Sequence, residues 1–228
     1  MNSNREKILS NIREALRTSS NLPDMPEDID EKLVEKLKAV TPPDLEGRRE
    51  QFRQELELVS GEYYWVNSTK EVALIISDIL QENRYEELAV TDESLCQEIA
   101  EVIVNQLKEV RIVRPSEMGY PERKNRLAQV DAALVKAAFA VADIGSLVFP
   151  YDNTGTSLPH FLSDCIFVIV EEKDLVSNQF ELFEKISPEK AKNMVFMTGP
   201  SRTADIEKVL VLGAHGPRRL IVFMYQSS

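Results

Sequence analysis

Residues 166–170 read Ile-Phe-Val-Ile-Val, an uninterrupted apolar run that has the length of one strand. A strand that is apolar at every position is typical of a parallel sheet covered on both faces. Working outward, the pattern predicts further strands at 63–66, 88–90, 110–113, 132–135, 194–197 and 220–225, and extended chain over 139–148 with a turn at Asp143-Ile144-Gly145. Helices are predicted between them at 48–59, after Ser68/Thr69, after Asp92/Ser94, and at 122–129, 180–186 and 205–212. This alternation predicts an α/β fold whose mostly parallel sheet has helices on both sides.

The amino-terminal 43 residues differ from the rest of the chain. Ser3 and Glu6 have the spacing of a capping box, and apolar residues at helical intervals follow them. After a proline-containing, acidic stretch, a second short helix is predicted from Leu33 to Val40, before Pro42 and Pro43. We therefore predict a helical arm over 1–43 and an α/β domain over 44–228. The arm either packs on its own domain or grips a second subunit, as in a homodimer.

Composition excludes several classes of protein. The net charge is −11, whereas binding to nucleic acid needs clustered Lys and Arg. No apolar run approaches the ~20 residues of a membrane span. The only cysteines, Cys96 and Cys165, lie far apart in the sequence, so the chain has no ligand set for a structural zinc or an Fe–S cluster. Without a signal peptide at the amino terminus, we expect a cytoplasmic protein with two free thiols. The alternative is one disulfide between the two cysteines.

The segment between Met197 and Ala204 carries the richest polar chemistry. Thr198-Gly199-Pro200-Ser201-Arg202-Thr203 follows a predicted strand and precedes the predicted helix 205–212. A helix that begins at the carboxyl edge of a parallel sheet offers unpaired N–H groups to an anion, such as a carboxylate or a phosphate. Gly199 would permit close approach, Arg202 would supply a guanidinium, and Ser201 and Thr203 would supply hydroxyl groups. The alternative is a simple helix cap. The spacing fits neither a Walker loop nor a dinucleotide-binding fingerprint.

Two further residues are candidate acid–base groups. His215 lies in the turn Gly213-Ala-His-Gly-Pro-Arg218, where Gly213 fits a helix C-cap. The intervening helix of about eight residues would hold this turn roughly 12 Å from Thr203. A hydrogen-bonded structural histidine is therefore the alternative. Asp143 is either a general base, a ligand contact, or an ordinary Asx-turn residue.

The same residues resemble a known family. Thr198-Gly-Pro-Ser-Arg-Thr-Ala-Asp-Ile-Glu207 and Val211-Leu-Gly-Ala-His-Gly-Pro-Arg218 resemble the carboxy-terminal signature of the lactate utilization protein C family, whose domain is called LUD. Ala140-Val-Ala-Asp-Ile-Gly-Ser146 resembles a shorter family segment, from which it departs at Asp143 and Ile144, where the family often has glutamate and threonine.

The resemblance implies a three-layer α/β/α fold similar to the ribose-5-phosphate isomerase and CoA-transferase group. It also implies a subunit or accessory protein in the oxidation of L-lactate to pyruvate, working with cysteine-rich partners that carry the Fe–S clusters. No cofactor is then expected on this chain. Two alternatives are an independent enzyme that acts on a phosphorylated or CoA-linked small molecule, and a non-catalytic interaction module.

Overall fold

The computed structural model describes residues 3–18, 42, 44–150, 162–187, 193–204, 210–212 and 216–226. The chain divides into two units, Met1–Val40 and Thr41–Ser228. In the first unit a predicted helix is confirmed as α1 (Ser3–Thr18), with Glu6 in its first turn, where a carboxylate favours the helix dipole. The predicted second helix lies outside the described residues. The role of the arm stays a prediction.

Parallel strands and helices alternate in the second unit. The helices are α2 (Leu45–Leu58), α3 (Thr69–Asn83), α4 (Ser94–Gln106), α5 (Tyr120–Leu127) and α6 (Gln179–Lys185). The six strands of the main sheet are β1 (Glu62–Val66), β2 (Glu87–Val90), β3 (Arg111–Val113), β4 (Ala132–Lys136), β7 (Cys165–Glu171) and β12 (Arg219–Tyr225). All of their pairings are parallel, in the order β1-β12-β7-β4-β2-β3. The apolar run 166–170 is thus a central strand, as predicted.

Two helices lie on one face of this sheet. Apolar side chains of α3 and α4, including Ile76, Ile99 and Ile103, pack with Leu134 and Phe167 of the sheet in one buried cluster. Ser68 caps α3 by accepting a hydrogen bond from the Glu71 N–H at 3.2 Å. This face therefore forms the helical layer that the sequence predicted.

The opposite face is covered by α2, α5 and a second, smaller sheet. That sheet contains β5 (Phe139–Val141), β6 (Ser146–Pro150), β8 (Leu175–Val176) and β9 (Met194–Met197), in the order β8-β5-β6-β9. Here β6 pairs antiparallel with β5 and β9. The α/β class with a mostly parallel sheet and helices on both sides is confirmed, but β9 belongs to the mixed sheet and not to the parallel one.

Helix α2 is antiparallel to the strands of the main sheet. It extends from the end of the sheet where these strands finish to the end where they begin. Near its start the Arg49 guanidinium lies 4.2 Å from the centre of the Trp65 ring, close to the carboxyl end of β1. Its last residues lead through Val59 and Gly61 into the beginning of β1. We call the edge where the parallel strands end the carboxyl edge, and the edge where they begin the amino edge.

Candidate functional site

The predicted helix over 205–212 is wrong over 210–212, the only part of it that the structure describes. The chain forms a hairpin whose strands are β10 (Arg202–Ala204) and β11 (Leu210–Leu212). Arg202 pairs with Leu212 in an antiparallel register. Because β10 and β11 are antiparallel, the residues before β10 lie next to the residues after β11. The two signature segments are therefore in contact and are not separated by the length of a helix.

Contacts between the two segments are direct. The Ser201 N–H donates to the Pro217 carbonyl oxygen at 2.7 Å. A Cβ atom on Gly216 would lie 3.1 Å from the Ser201 Cβ. One amide of the predicted anion loop is therefore turned inward and already bonded. The described residues on either side of 205–209 are strand and not helix, so they offer no helix dipole to an anion at this loop.

This loop also lies at the amino edge, opposite to its predicted place. A Cβ on Gly199 would lie 2.7 Å from the Val59 Cγ2, and Val59 comes just before β1 begins. Pro217, bonded to Ser201, comes just before the first residue of β12. Since parallel strands begin at the same edge, both contacts place the loop there. The close approach that Gly199 permits is an approach to α2, at a backbone φ of 88°.

A second signature segment packs on the same helix. Gly145 has a φ of 59°, and a Cβ there would lie 2.6 Å from the backbone nitrogen of Leu56. The hydroxyl group of Ser146, the next residue, is hydrogen-bonded to that of Thr198. The two segments, about fifty positions apart in the sequence, thus converge on the second half of α2.

The structure leaves the ligand roles in this region as predictions. Thr198 is exposed and Ser201 is half-buried. Arg202 and Thr203 are described only as backbone of β10, and His215 lies outside the described residues. What the structure adds is proximity, because the hairpin brings both signature segments to one place.

Asp143 lies next to this region in a short turn between β5 and β6. Its N–H donates to the Ser177 carbonyl oxygen at 3.1 Å. Within the described part of the chain its Oδ1 is buried and has no hydrogen-bond partner. Burial raises the pKa of the carboxyl group, and the charge of Glu55 on α2 raises it further. Asp143 is thus suited to holding a proton, although its acid–base role stays a prediction.

We expect Asp143→Asn to change how stability depends on pH. Because the pKa of Asp143 is raised on folding, the folded state holds this proton more tightly than the unfolded chain. The favourable contribution is complete below the unfolded pKa of about 3.9 and is lost as pH rises through the raised value. Urea unfolding from about pH 4 to 8 should show the variant gaining stability relative to the wild type as pH increases. A constant difference between the two proteins would contradict the effect.

A separate group of charged side chains lies at the carboxyl edge, which sequence reasoning missed. Strand β2 continues into α4 on one face of the sheet, and the neighbouring β4 continues into β5 on the other. Such a reversal is where open α/β sheets bind ligands. Lys136 is the last residue of β4, at this reversal, and its side chain is 25% exposed.

The neighbouring carboxylate of Glu171 holds Lys136 in place. Its Nζ forms an ion pair with Glu171 at the end of β7, and Lys173 donates to the same carboxylate at 2.7 Å. Burial alone would raise the pKa of Glu171, but the hydrogen bonds from the two lysines lower it below its usual value. Glu171 therefore stays ionised, and the ammonium group of Lys136 keeps donors for a further partner.

Across β2, the end of β3 carries a guanidinium group. Arg114 follows β3 and is half-buried. Its Nε and Nη2 both donate to the Gln97 Oε1 on α4, each at 3.3 Å. Gln97 is oriented in turn by donating its Nε2 hydrogen to the Thr91 carbonyl oxygen at 2.8 Å. The sequence signal for this site was a polar residue that ends an apolar strand, as Lys136 does after Leu134 and Val135.

Comparisons with known proteins match most of the chain. A model of the LUD domain matches residues 49–225. "Lactate utilization protein C" of Deinococcus radiodurans is 31% identical over 101 residues, which are 43% of this chain and 48% of that protein. The protein of the same name from Bacillus pumilus is 32% identical over 111 residues, which are 45% of this chain and 46% of that protein. The chain thus spans about half the length of the curated relatives it matches.

A solved structure has the same fold. It is a crystal structure of a DUF162 family protein from Deinococcus radiodurans, with a TM-score of 0.58 and 16% sequence identity. The match covers 81% of this chain and 99% of that one. Together with the domain match, these similarities confirm the resemblance that the carboxy-terminal segments suggested. Among the described helices, none is long and apolar enough to cross a membrane.

Proposed function

The chain belongs to the LUD domain family, and from that membership we propose that it serves L-lactate utilization as a subunit of a lactate-oxidising system. One observation carries the proposal. The domain match begins in the first turns of α2 and ends at the last residue of β12, so it includes both edges of the parallel sheet. Every polar group that we consider for ligand contact therefore lies within the family's own domain.

The cysteines support a division of labour with other proteins in the cytoplasm. Fe–S clusters are held by several cysteine thiolates. Here Cys165 begins β7 at the amino edge, whereas Cys96 lies in the first turn of α4, which follows the carboxyl end of β2. Both are buried, and burial raises the pKa of each thiol to about 12. Thiols that stay protonated at opposite edges do not suit one cluster, so we assign electron transfer to cysteine-rich, Fe–S-containing partners.

We expect that deleting the gene for this chain in its host abolishes growth on L-lactate as sole carbon source and leaves growth on pyruvate unchanged. The physical reason is that a subunit needed before pyruvate is formed is bypassed when pyruvate is supplied. Growth rates of the deletion strain, with and without a plasmid copy of the gene, measure the effect. Unchanged growth on L-lactate would contradict the proposal. In that case an independent enzyme acting on a phosphorylated or CoA-linked molecule would be favoured.

The partners are tested separately. The wild-type chain should co-purify from lactate-grown cells with proteins that contain iron and acid-labile sulfide. If growth on lactate requires the chain but no such proteins are recovered, the assignment of electron transfer to partners is wrong.

A further inference from the structure

We propose that Arg114 and Lys136 form a receptor for the carboxylate of a small organic acid, above the carboxyl end of β2. This proposal rests on the proposed function, from which it takes the class of ligand. It concerns the carboxyl edge and is independent of the signature segments at the amino edge. Its grounds are the orientation of the two side chains, the partners of Arg114, and the topology of the sheet.

Both side chains point to the same face of the sheet. Successive residues of a strand alternate between faces. Leu134 of β4 packs in the cluster with α3 and α4, and Ile112 of β3 packs against that cluster, whereas Val135 and Val113 belong to the opposite cluster. Lys136 and Arg114, two positions after Leu134 and Ile112, therefore lie on the side of α3 and α4.

Only one strand separates the two cations. The order β4-β2-β3 places β2 between them, and neighbouring strands are about 4.8 Å apart. The register sets Lys136 two residues further along the strands than Arg114, so their backbones are roughly 12 Å apart. Long side chains from both sides can reach one small anion between them. That space lies at the reversal between β2 and β4, the position at which this class of sheet binds ligands.

The partners of Arg114 differ from those of several other arginines. Guanidinium groups of those residues pair with carboxylates, among them Arg49 with Glu172, and Arg126 with Glu87. Over the described ranges no carboxylate forms an ion pair with Arg114, and its two bonds to the neutral Gln97 are long for N–H···O contacts. A carboxylate would give this guanidinium shorter, charge-assisted bonds.

The chain itself supplies matched controls. Arg111 is at the other end of β3, at the amino edge, and pairs with Glu86 and Glu87. Lys185 on α6 pairs with Glu181, lies outside the proposed receptor and is 45% exposed. Substituting either control changes the net charge by the same amount as substituting its counterpart. An effect of Arg114→Gln that Arg111→Gln lacks is therefore local.

The test is calorimetric titration of the full chain with pyruvate and with L-lactate. We expect wild type, Arg111→Gln and Lys185→Gln to bind at least one of the two acids with the same Kd. Arg114→Gln and Lys136→Gln should each weaken the Kd about tenfold or more, the loss expected for a charged hydrogen bond. Arg114→Lys keeps the positive charge but lacks the paired N–H donors of the guanidinium group. Its Kd should lie between those of wild type and Arg114→Gln. Circular dichroism confirms that each variant is folded.

Several outcomes overturn the receptor. They are no binding of either acid by wild type, equal Kd values for wild type and Arg114→Gln, and equal weakening by Arg111→Gln. Tight binding of inorganic phosphate without either acid also overturns it. The proposed function is tested by a different experiment, because its failure would appear as normal growth of the deletion strain on L-lactate. A strain that needs the gene while Arg114→Gln binds normally would refute the receptor alone.

Discussion

Replacing Gly145 with alanine should lower the free energy of unfolding by about 3 kcal/mol or more, because a side chain there meets the backbone of α2. A Cβ would lie 2.6 Å from the Leu56 nitrogen and 2.8 Å from the Glu55 carbonyl carbon, and backbone atoms of a helix cannot rotate away. The φ of 59° adds a steric cost for any L-residue.

Gly119 is the matched control for this substitution. It has no atom within 4 Å of an added Cβ and a φ of −69°, so Gly119→Ala should change stability by about 1 kcal/mol or less. Urea unfolding at neutral pH measures both variants. Equal midpoints for the two would show that the turn at Gly145 yields easily. In that case its packing on α2 would not explain this glycine of the signature.

Replacing Phe52 with alanine should cost about 3 to 5 kcal/mol, since it removes a buried aromatic ring from the contact between α2 and the sheet. Phe52 is 0% exposed and lies in the same buried cluster as Leu56. Its ring and the Tyr63 ring on β1 form an edge-to-face pair at a centroid distance of 6.2 Å. The cavity left behind would remove packing contacts between the helix and the strands beneath it.

Leu58 on the same helix is the control, because its side chain is 73% exposed. Leu58→Ala should change the free energy of unfolding by about 0.5 kcal/mol or less. The difference between the two variants in the unfolding midpoint measures how much the buried side of α2 contributes. A small loss for Phe52→Ala would mean that α2 is held chiefly by its polar contacts, such as that of Arg49 with Glu172.

Local pattern was enough to predict the positions of the six strands of the parallel sheet. The run 166–170 is buried throughout, and Ser68 caps α3 as its position suggested. These features depend on neighbours in the sequence. By contrast, the apolar run 209–212 fits a strand as well as a helix end, and the helical interpretation was wrong because β11 pairs with β10. Short strands such as these depend on pairing with a partner strand, which the local sequence pattern does not reveal.

The candidate sites show the same limit. Polar residues were found in the signature segments, but their place at the amino edge follows from contacts of Gly199 with Val59 and of Ser201 with Pro217. The pair Arg114 and Lys136 was missed because it depends on strand order, which puts β2 between β3 and β4. Sheet order is set by long-range packing, and no spacing in the sequence encodes it.

A crystal structure of the full chain grown with saturating pyruvate tests the central claim most directly. Our account predicts one bound carboxylate beside the end of β2, within hydrogen-bond distance of the Arg114 guanidinium and the Lys136 Nζ. Pyruvate bound instead against Thr198, Ser201 and Arg202, with the space beside Arg114 holding only solvent, would contradict it.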